Sequence, residues 1–218
     1  MKILAISDPH GDYSKIKKMI EKAGDFDLAV VVGDITNFGP DEKVNELAEM
    51  FDKPLLAIPG NCDYKSILKA LDSSKAVNLH GKAEQIGNIR FIGLGGSNPT
   101  PFNTPFELSE EEIENALEGM VCSAENSGEC GKIVLLTHAP PHGARDELPF
   151  GHVGSKAIQK FLDRADLIIC GHIHEAKGVE KAGKTVVLNP GEACKGSCAL
   201  VTIEENENKT IDVEFVEV

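Results

Sequence analysis

Residues 28–34 read LAVVVGD: five apolar residues, a glycine and a carboxylate. So short a run, rich in β-branched side chains and free of polar interruption, reads as a strand with both faces covered. The Gly-Asp that closes it marks the turn out of the sheet. The pattern recurs in both directions along the chain. KILAIS (2–7) precedes it; PLLAIPG (54–60), IRFIGLGG (89–96), KIVLLTH (132–138), ADLIICGH (165–172), KTVVLNPG (184–191) and ALVTIE (199–204) follow. TIDVEFVEV (210–218) alternates apolar and polar residues, as a half-exposed strand does. Helical patterns fall between the early runs, over 14–23, 41–51 after Pro40, and 64–71. Two more cover 109–119, where Ser109 and Glu112 form a capping box, and 154–163. Strand–helix–strand repetition predicts parallel crossovers under a helical cover. The second half, strand after strand, predicts added antiparallel strands or a second sheet. Residues 97–107, with three prolines, and 139–153 are expected as irregular loops inside a single domain spanning 1–218.

Composition narrows the function. The chain has 218 residues, 41% hydrophobic and 26% charged, an ordinary globular balance. With 22 Lys and Arg against 35 Asp and Glu its formal charge is −13, which disfavours a long nucleic-acid duplex as partner. A small phosphorylated substrate is still compatible, because bound cations reverse the local potential. No apolar run approaches the roughly 18–20 residues of a membrane span. The first apolar segment stops at Asp8, too short for a signal-peptide core, so a cytoplasmic protein is expected. The six cysteines form no CxxC pair; Cys194 and Cys198 in CKGSC are read as free thiols in a loop.

The chemistry collects at strand ends. The runs are followed in turn by Asp8-Pro9-His10, by Gly33-Asp34, by Gly60-Asn61-Cys62-Asp63, by His138, and by Gly171-His172-Ile173-His174. Carboxyl ends of parallel strands share an edge, and ligands bind there. Any one Asp in such a place is ordinarily a turn former, and any one His a surface or core residue. Seven such residues together, with glycine beside three of the sites, outweigh that reading. Gly33, Gly60 and Gly171 allow tight turns and close approach. Imidazole, carboxylate and amide ligands without thiolate suit Mn, Fe, Zn, Co or Ni, and their number suits two ions about 3.5–4 Å apart.

In order, DxH, GD, GNxD, a lone His after a strand and GHxH resemble the motifs of the calcineurin-like metallophosphoesterases. The chain is most similar to the small Icc-like predicted phosphoesterases of prokaryotes, in which stretches like THAPPHG (137–143), GHVGSKAI (151–158) and KTVVLNPG (184–191) also recur. The resemblance implies a four-layer α/β/β/α sandwich, two mixed sheets flanked by helices, with the site at the sheet edges. It implies one ion on Asp8, His10, Asp34 and His174, and a second on Asn61, His138 and His172 with Asp34 bridging. The implied cofactor is a pair of divalent transition metal ions, manganese favoured. The implied reaction is attack of a metal-bridging hydroxide on a phosphoester.

One position departs from the commoner pattern: Cys62 stands where many members carry a His thought to protonate the leaving oxygen or bind phosphate. Inert packing is the favoured reading of this thiol, and its place in the motif keeps it beside Asn61 and Arg145 as a substrate-binding candidate. His142, four residues beyond His138, and His152, just before the helix near Gly154, are the general-acid candidates. His80 reads as bland, and the acidic helix residues Glu110 to Glu118 as a solvated face. These features favour a phosphodiesterase acting on a small or nucleotide-like ester. A phosphomonoesterase or protein phosphatase is the alternative, then a nuclease, and last a non-catalytic metal-binding scaffold. A homo-oligomer is compatible with the alternating last strand.

Overall fold

The computed structural model describes residues 1–127, 131–204 and 210–218. Cys130 lies outside them. The strands are β1 (Lys2–Ile6), β2 (Leu28–Val32), β3 (Leu55–Ile58), β4 (Val77–Asn78), β5 (Lys82–Ile86), β6 (Ile89–Leu94) and β7 (Lys132–Thr137). They continue as β8 (Glu147–Leu148), β9 (Gly151–His152), β10 (Leu167–Ile169), β11 (Gly178–Ala182), β12 (Thr185–Asn189), β13 (Ser197–Ile203) and β14 (Ile211–Glu217). Two six-stranded sheets result, ordered β14-β13-β1-β2-β3-β4 and β11-β12-β10-β7-β6-β5. Each has a parallel centre of four strands, β1 to β4 in one and β6, β7, β10 and β12 in the other. Antiparallel strands close the flanks.

Burial follows the pleat. Ile3, Ala5, Val30, Val32, Leu56 and Ile58 point inward and meet Phe91, Val134, Leu136, Leu167 and Ile169 of the other sheet. Their neighbours Leu4, Ile6, Ala29 and Val31 point outward onto α1 (Ile16–Ala23), α2 (Lys43–Ala48) and α3 (Ile67–Ser73). On the far side, Ile92, Leu94, Ile133, Leu135 and Ile168 pack on α4 (Glu110–Ser127) and α5 (Lys156–Gln159). Helix, sheet, sheet, helix is the sandwich that the resemblance implies. Continuous apolar runs are required because every central strand is covered twice.

Several local expectations change. Helix α4 runs to Ser127 rather than ending near Gly119, since Ile113, Leu117, Val121 and Ala124 continue one buried stripe. A Cβ at Gly119 would meet nothing, so that glycine faces outward and breaks nothing. The hairpin strands β5 and β11 escape the apolar-run criterion, because both are half-exposed edges with charged residues. The loop 139–153 carries the small β8–β9 ribbon. The Ser109–Glu112 capping box forms, with Glu112 N–H donating to Ser109 Oγ at 3.2 Å and Ser109 N–H to Glu112 Oε2 at 2.8 Å. The acidic residues of α4 are more than a solvated face. Glu110 accepts from the N–H groups of Ala157 (2.7 Å) and Lys156 (3.1 Å) and from Ser155 Oγ (2.7 Å), capping α5. Glu118 and Glu125 hold Arg164. The described cysteines are free thiols, but the CKGSC stretch is not a loop throughout: half-buried Cys194 sits in a single 3-10 turn and buried Cys198 in β13. Among the described residues no helix is long and apolar enough to cross a membrane.

Candidate metal centre

Five strands end at one place. Asp8 leaves β1, Asp34 leaves β2 and Asn61 leaves β3; His138 follows β7, and His172 follows β10. His10 and His174 come from the same β1 and β10 turns. Backbone bonds tie the loops together: Asp8 N–H donates to Gly33 O (3.2 Å), His10 N–H to Asp34 O (2.8 Å), and Gly171 N–H to His138 O (2.9 Å). Asp8, His10, Asp34 and His172 all hold left-handed backbone, at φ of 52°, 47°, 47° and 67°. Such conformations cost side-chain-bearing residues about 1–3 kcal/mol each and persist only where surroundings impose them. The glycines beside the ligands supply room: a Cβ at Gly33 would overlap the His138 ring, at Gly60 the Asp34 carboxylate, and at Gly171 Ser7 and Asp8.

The donor atoms converge. Those of Asp8, His10 and His174 lie within 4.8 Å of one another, as do those of Asp8, Asp34 and His138, and those of His10, Asp34 and Cys62. His138 Nδ1 is 2.9 Å from Val32 O, which accepts its proton and leaves Nε2 facing the centre. That Nε2 sits 3.0 Å from Asn61 Oδ1 and 3.4 Å from Asp34 Oδ1. A nitrogen lone pair aimed at two oxygen acceptors repels them unless a cation lies between. Without metal the cation is a proton. Burial lowers the His138 pKa, but the Asp34 carboxylate outweighs it and lifts the value to about 9. His174 is built alike, with Nδ1 3.0 Å from Glu192 Oε1 and Nε2 3.3 Å from Asp8 Oδ1 and 3.4 Å from His10 Nε2. Asp8 and Asp34 are both buried, yet both sit below the usual carboxylate range; burial opposes this, and the neighbouring histidines prevail. His172, buried and beside His138, is pushed down to about 4, so it offers a neutral ring. Two buried carboxylates, an amide oxygen and imidazole nitrogens that yield their proton to metal fit divalent transition cations.

A model of the calcineurin-like phosphoesterases matches residues 1–176. The chain belongs to that family. It is 43% identical over 201 residues to the uncharacterized protein MJ1162 of Methanocaldococcus jannaschii, a match covering 87% of this chain and 88% of the relative. The crystal structure of TT1561 of Thermus thermophilus has a TM-score of 0.75 at 16% identity, over 98% of this chain and 97% of that one. Haemophilus influenzae NAD nucleotidase (NadN) gives 0.61 at 14% identity, over 98% of this chain and 49% of its own. At such identities the structural likeness speaks to fold. The family's chemistry is hydrolysis of phosphoric esters.

Other residues of this metallophosphoesterase fall into two sets. Cys62 is half-buried and its sulfur borders the centre. Burial and the Asp34 charge push its thiol pKa well up, so it stays protonated, while its N–H donates to Asp34 Oδ1 at 2.8 Å. His142 and His152 meet each other, ring centroids 5.5 Å apart, and His152 Nδ1 bonds Asp146 Oδ1 at 2.7 Å. Among the described contacts neither touches the seven candidate ligands. Arg145 turns to β11, where Glu180 takes both its N–H (2.8 Å) and its guanidinium (3.0 Å). His80 accepts from Gly95 N–H at 3.0 Å and packs on Phe106.

Sequence reasoning missed three supporting groups. Glu192, just past the KTVVLNPG stretch, orients His174. Thr104 accepts from Asn61 Nδ2 at 3.1 Å. Asp63, the last residue of GNxD, ligates nothing; buried, it accepts from Gly60 N–H (2.8 Å), Ile35 N–H (3.0 Å), Thr36 N–H (2.7 Å) and Thr36 Oγ1 (2.8 Å). Burial and Asp34 raise its pKa to about 6. The fixed position of that Asp after the Asn was the available signal.

Proposed function

We propose that the chain is a dinuclear-metal phosphodiesterase acting on a small or nucleotide-like phosphodiester. The observation that carries this reading is the set of three donor groups that overlap through Asp8, His10 and Asp34. Asp8, His10, Asp34 and His174 would hold one ion; Asp34, Asn61, His138 and His172 the other. When bound, the two cations supply Lewis acidity, lowering the pKa of water held between them and neutralising phosphoryl oxygens. Manganese is the favoured metal, as the resemblance implies, and the cytoplasm the favoured compartment. Residues 1–218 act as one unit, because both sheets contribute ligands.

The protein groups do the positioning. Val32 O and Glu192 fix the tautomers of His138 and His174, so each presents Nε2. Cys62 N–H aims the Asp34 carboxylate, and Thr104 Oγ1 and Cys62 Sγ accept from Asn61 Nδ2 and orient its amide. The Cys62 thiol is a weak proton donor. Diesters with acidic leaving groups need little protonation, whereas monoesters of poor leaving groups need much, and this tilts the proposal toward diesters. The Asp146–His152 pair supports the monoesterase alternative to a lesser degree: its carboxylate raises the His152 pKa, as suits an acid.

The test compares bis-p-nitrophenyl phosphate with p-nitrophenyl phosphate on protein reconstituted with Mn, Ni, Zn or Co. Faster diester turnover that vanishes in Asp34→Asn supports the proposal. Faster monoester turnover transfers it to the alternative and directs mutagenesis to His142 and His152. Silence on both esters with every metal sinks it.

A further inference from the structure

The two loops expected to be irregular meet beside the centre. Residues 98–102 and 148–153 enclose a cavity of about 460 Å³, lined by Asn98, Phe102, Phe150, Val153, His172 and Glu175 among others. Its size is that of a small-molecule site. His172, a candidate ligand, joins it to the metal edge.

Three features indicate what it holds. Phe102 and Phe150 are 81% and 80% exposed, against at most 50% for any other large apolar side chain described. Two bare rings on one cavity are a stacking surface. Their loops are also restrained: Pro99, Pro101 and Pro149 fix the backbone beside them. Glu107 accepts from Thr100 Oγ1 (2.6 Å), Thr104 Oγ1 (2.6 Å) and Thr104 N–H (2.7 Å), pinning the first loop. Finally, Asn98 Nδ2 donates to Val153 O at 3.2 Å and ties the two loops together. The phosphoester belongs at the metal edge, which leaves the cavity to the organic part of the ester.

We infer that this cavity seats a nucleobase: a flat aromatic ring between or against Phe102 and Phe150. The inference rests on the phosphoesterase reading above and names the ester group that this centre takes. An aliphatic chain would fill the volume without stacking on the two rings.

Calorimetry on metal-loaded protein with adenosine 5′-monophosphate and ribose 5-phosphate isolates the base. The expected result is tighter binding of the nucleotide by roughly 5- to 100-fold, the range for a base stacked on aromatic side chains. F102A/F150A should erase that preference while ribose 5-phosphate binds as before. Equal binding of nucleotide and sugar phosphate by the wild-type protein, or a preference surviving in F102A/F150A, overturns the inference. Hydrolysis of bis-p-nitrophenyl phosphate by the same samples reads the parent proposal separately. Turnover without base preference sinks the cavity reading alone; base preference without turnover sinks the phosphodiesterase alone.

Discussion

The strand-end edge and the loop rim are held by opposite means. At the edge, the loops after β1 and β2 are hydrogen-bonded backbone to backbone, so Asp8, His10 and Asp34 cannot move independently. At the rim, single carboxylates take over, Asp146 buried and Glu107 half-buried. Asp146 gathers Gly143 N–H (3.1 Å), Gly154 N–H (2.8 Å) and His152 Nδ1 (2.7 Å), and Glu107 does the same for residues 100–104. The edge therefore tolerates almost no substitution, while the rim permits changes of side chain around a few fixed hubs. Chemistry sits where geometry is over-determined, and substrate choice where it is not. The contrast makes a graded set of expectations, since damage should shrink as the altered group moves from edge to rim.

The largest effect belongs to Asp34→Asn, which removes a charge from between both donor groups. Activity should fall by roughly 10³-fold or more, as expected when several kcal/mol of charge stabilisation disappear. Bound metal per chain after reconstitution should drop with it. A variant that keeps two ions and full turnover would break the comparison at its root.

Next comes pH. In the metal-free protein His138 keeps a proton up to about pH 9, and metal must displace it. Metal affinity should climb about tenfold per pH unit from roughly pH 7 to pH 8.5, with one proton released on binding. The stability of the metal-free protein has the opposite sign. The raised pKa stabilises the fold fully below the unfolded value of 6.5, and that stability fades as pH rises through about 9. Calorimetry in buffers of differing ionisation enthalpy counts the proton; zero release would remove His138 from the ligand set.

How much of this was legible beforehand follows the same division. The longer parallel strands could be read, because cover on both faces demands apolar runs such as LAVVVG and KIVLLTH, whereas the two-residue β4, exposed at Val77, could not. The candidate ligands could be read because they follow those runs directly. What escaped lay at partly exposed or distant positions. KAEQI and GVEKA are strands only because a hairpin turn lays them on a neighbour. The end of α4 was masked by Gly119, a residue that breaks helices by propensity but here sits on an open face. Glu192 and Thr104 are adjacent to their partners only in space, 18 and 43 residues away along the chain. Nor does a sequence reveal that Asp8 and Asp34 will be left-handed, since tertiary bonding imposes it.

A step outward from the ligands, Glu192→Gln keeps the shape of the His174 partner but removes its charge. Metal affinity should weaken by roughly 10- to 100-fold, the usual effect of altering a group that orients a metal-bound histidine. Metal titration of the variant measures it, and turnover at saturating metal should recover most of the loss. Failure to recover would mean that Glu192 contacts substrate rather than His174 alone.

The smallest effect should come from the rim. Arg145 was a phosphate-clamp candidate in the sequence, yet its guanidinium lies 3.0 Å from Glu180, a pair about one-third exposed. Partly exposed pairs contribute about 0–1 kcal/mol, so Glu180→Gln should shift the melting temperature by no more than a few degrees. It also frees Arg145 to swing. If substrate binding never used that side chain, KM for the diester should stay within about threefold, and Arg145→Met should behave the same way. A drop in KM in Glu180→Gln, reversed when Arg145→Met is added, would show that the released guanidinium reaches phosphate. The rim would then contribute to chemistry that the contrast with the edge assigns to the strand ends alone.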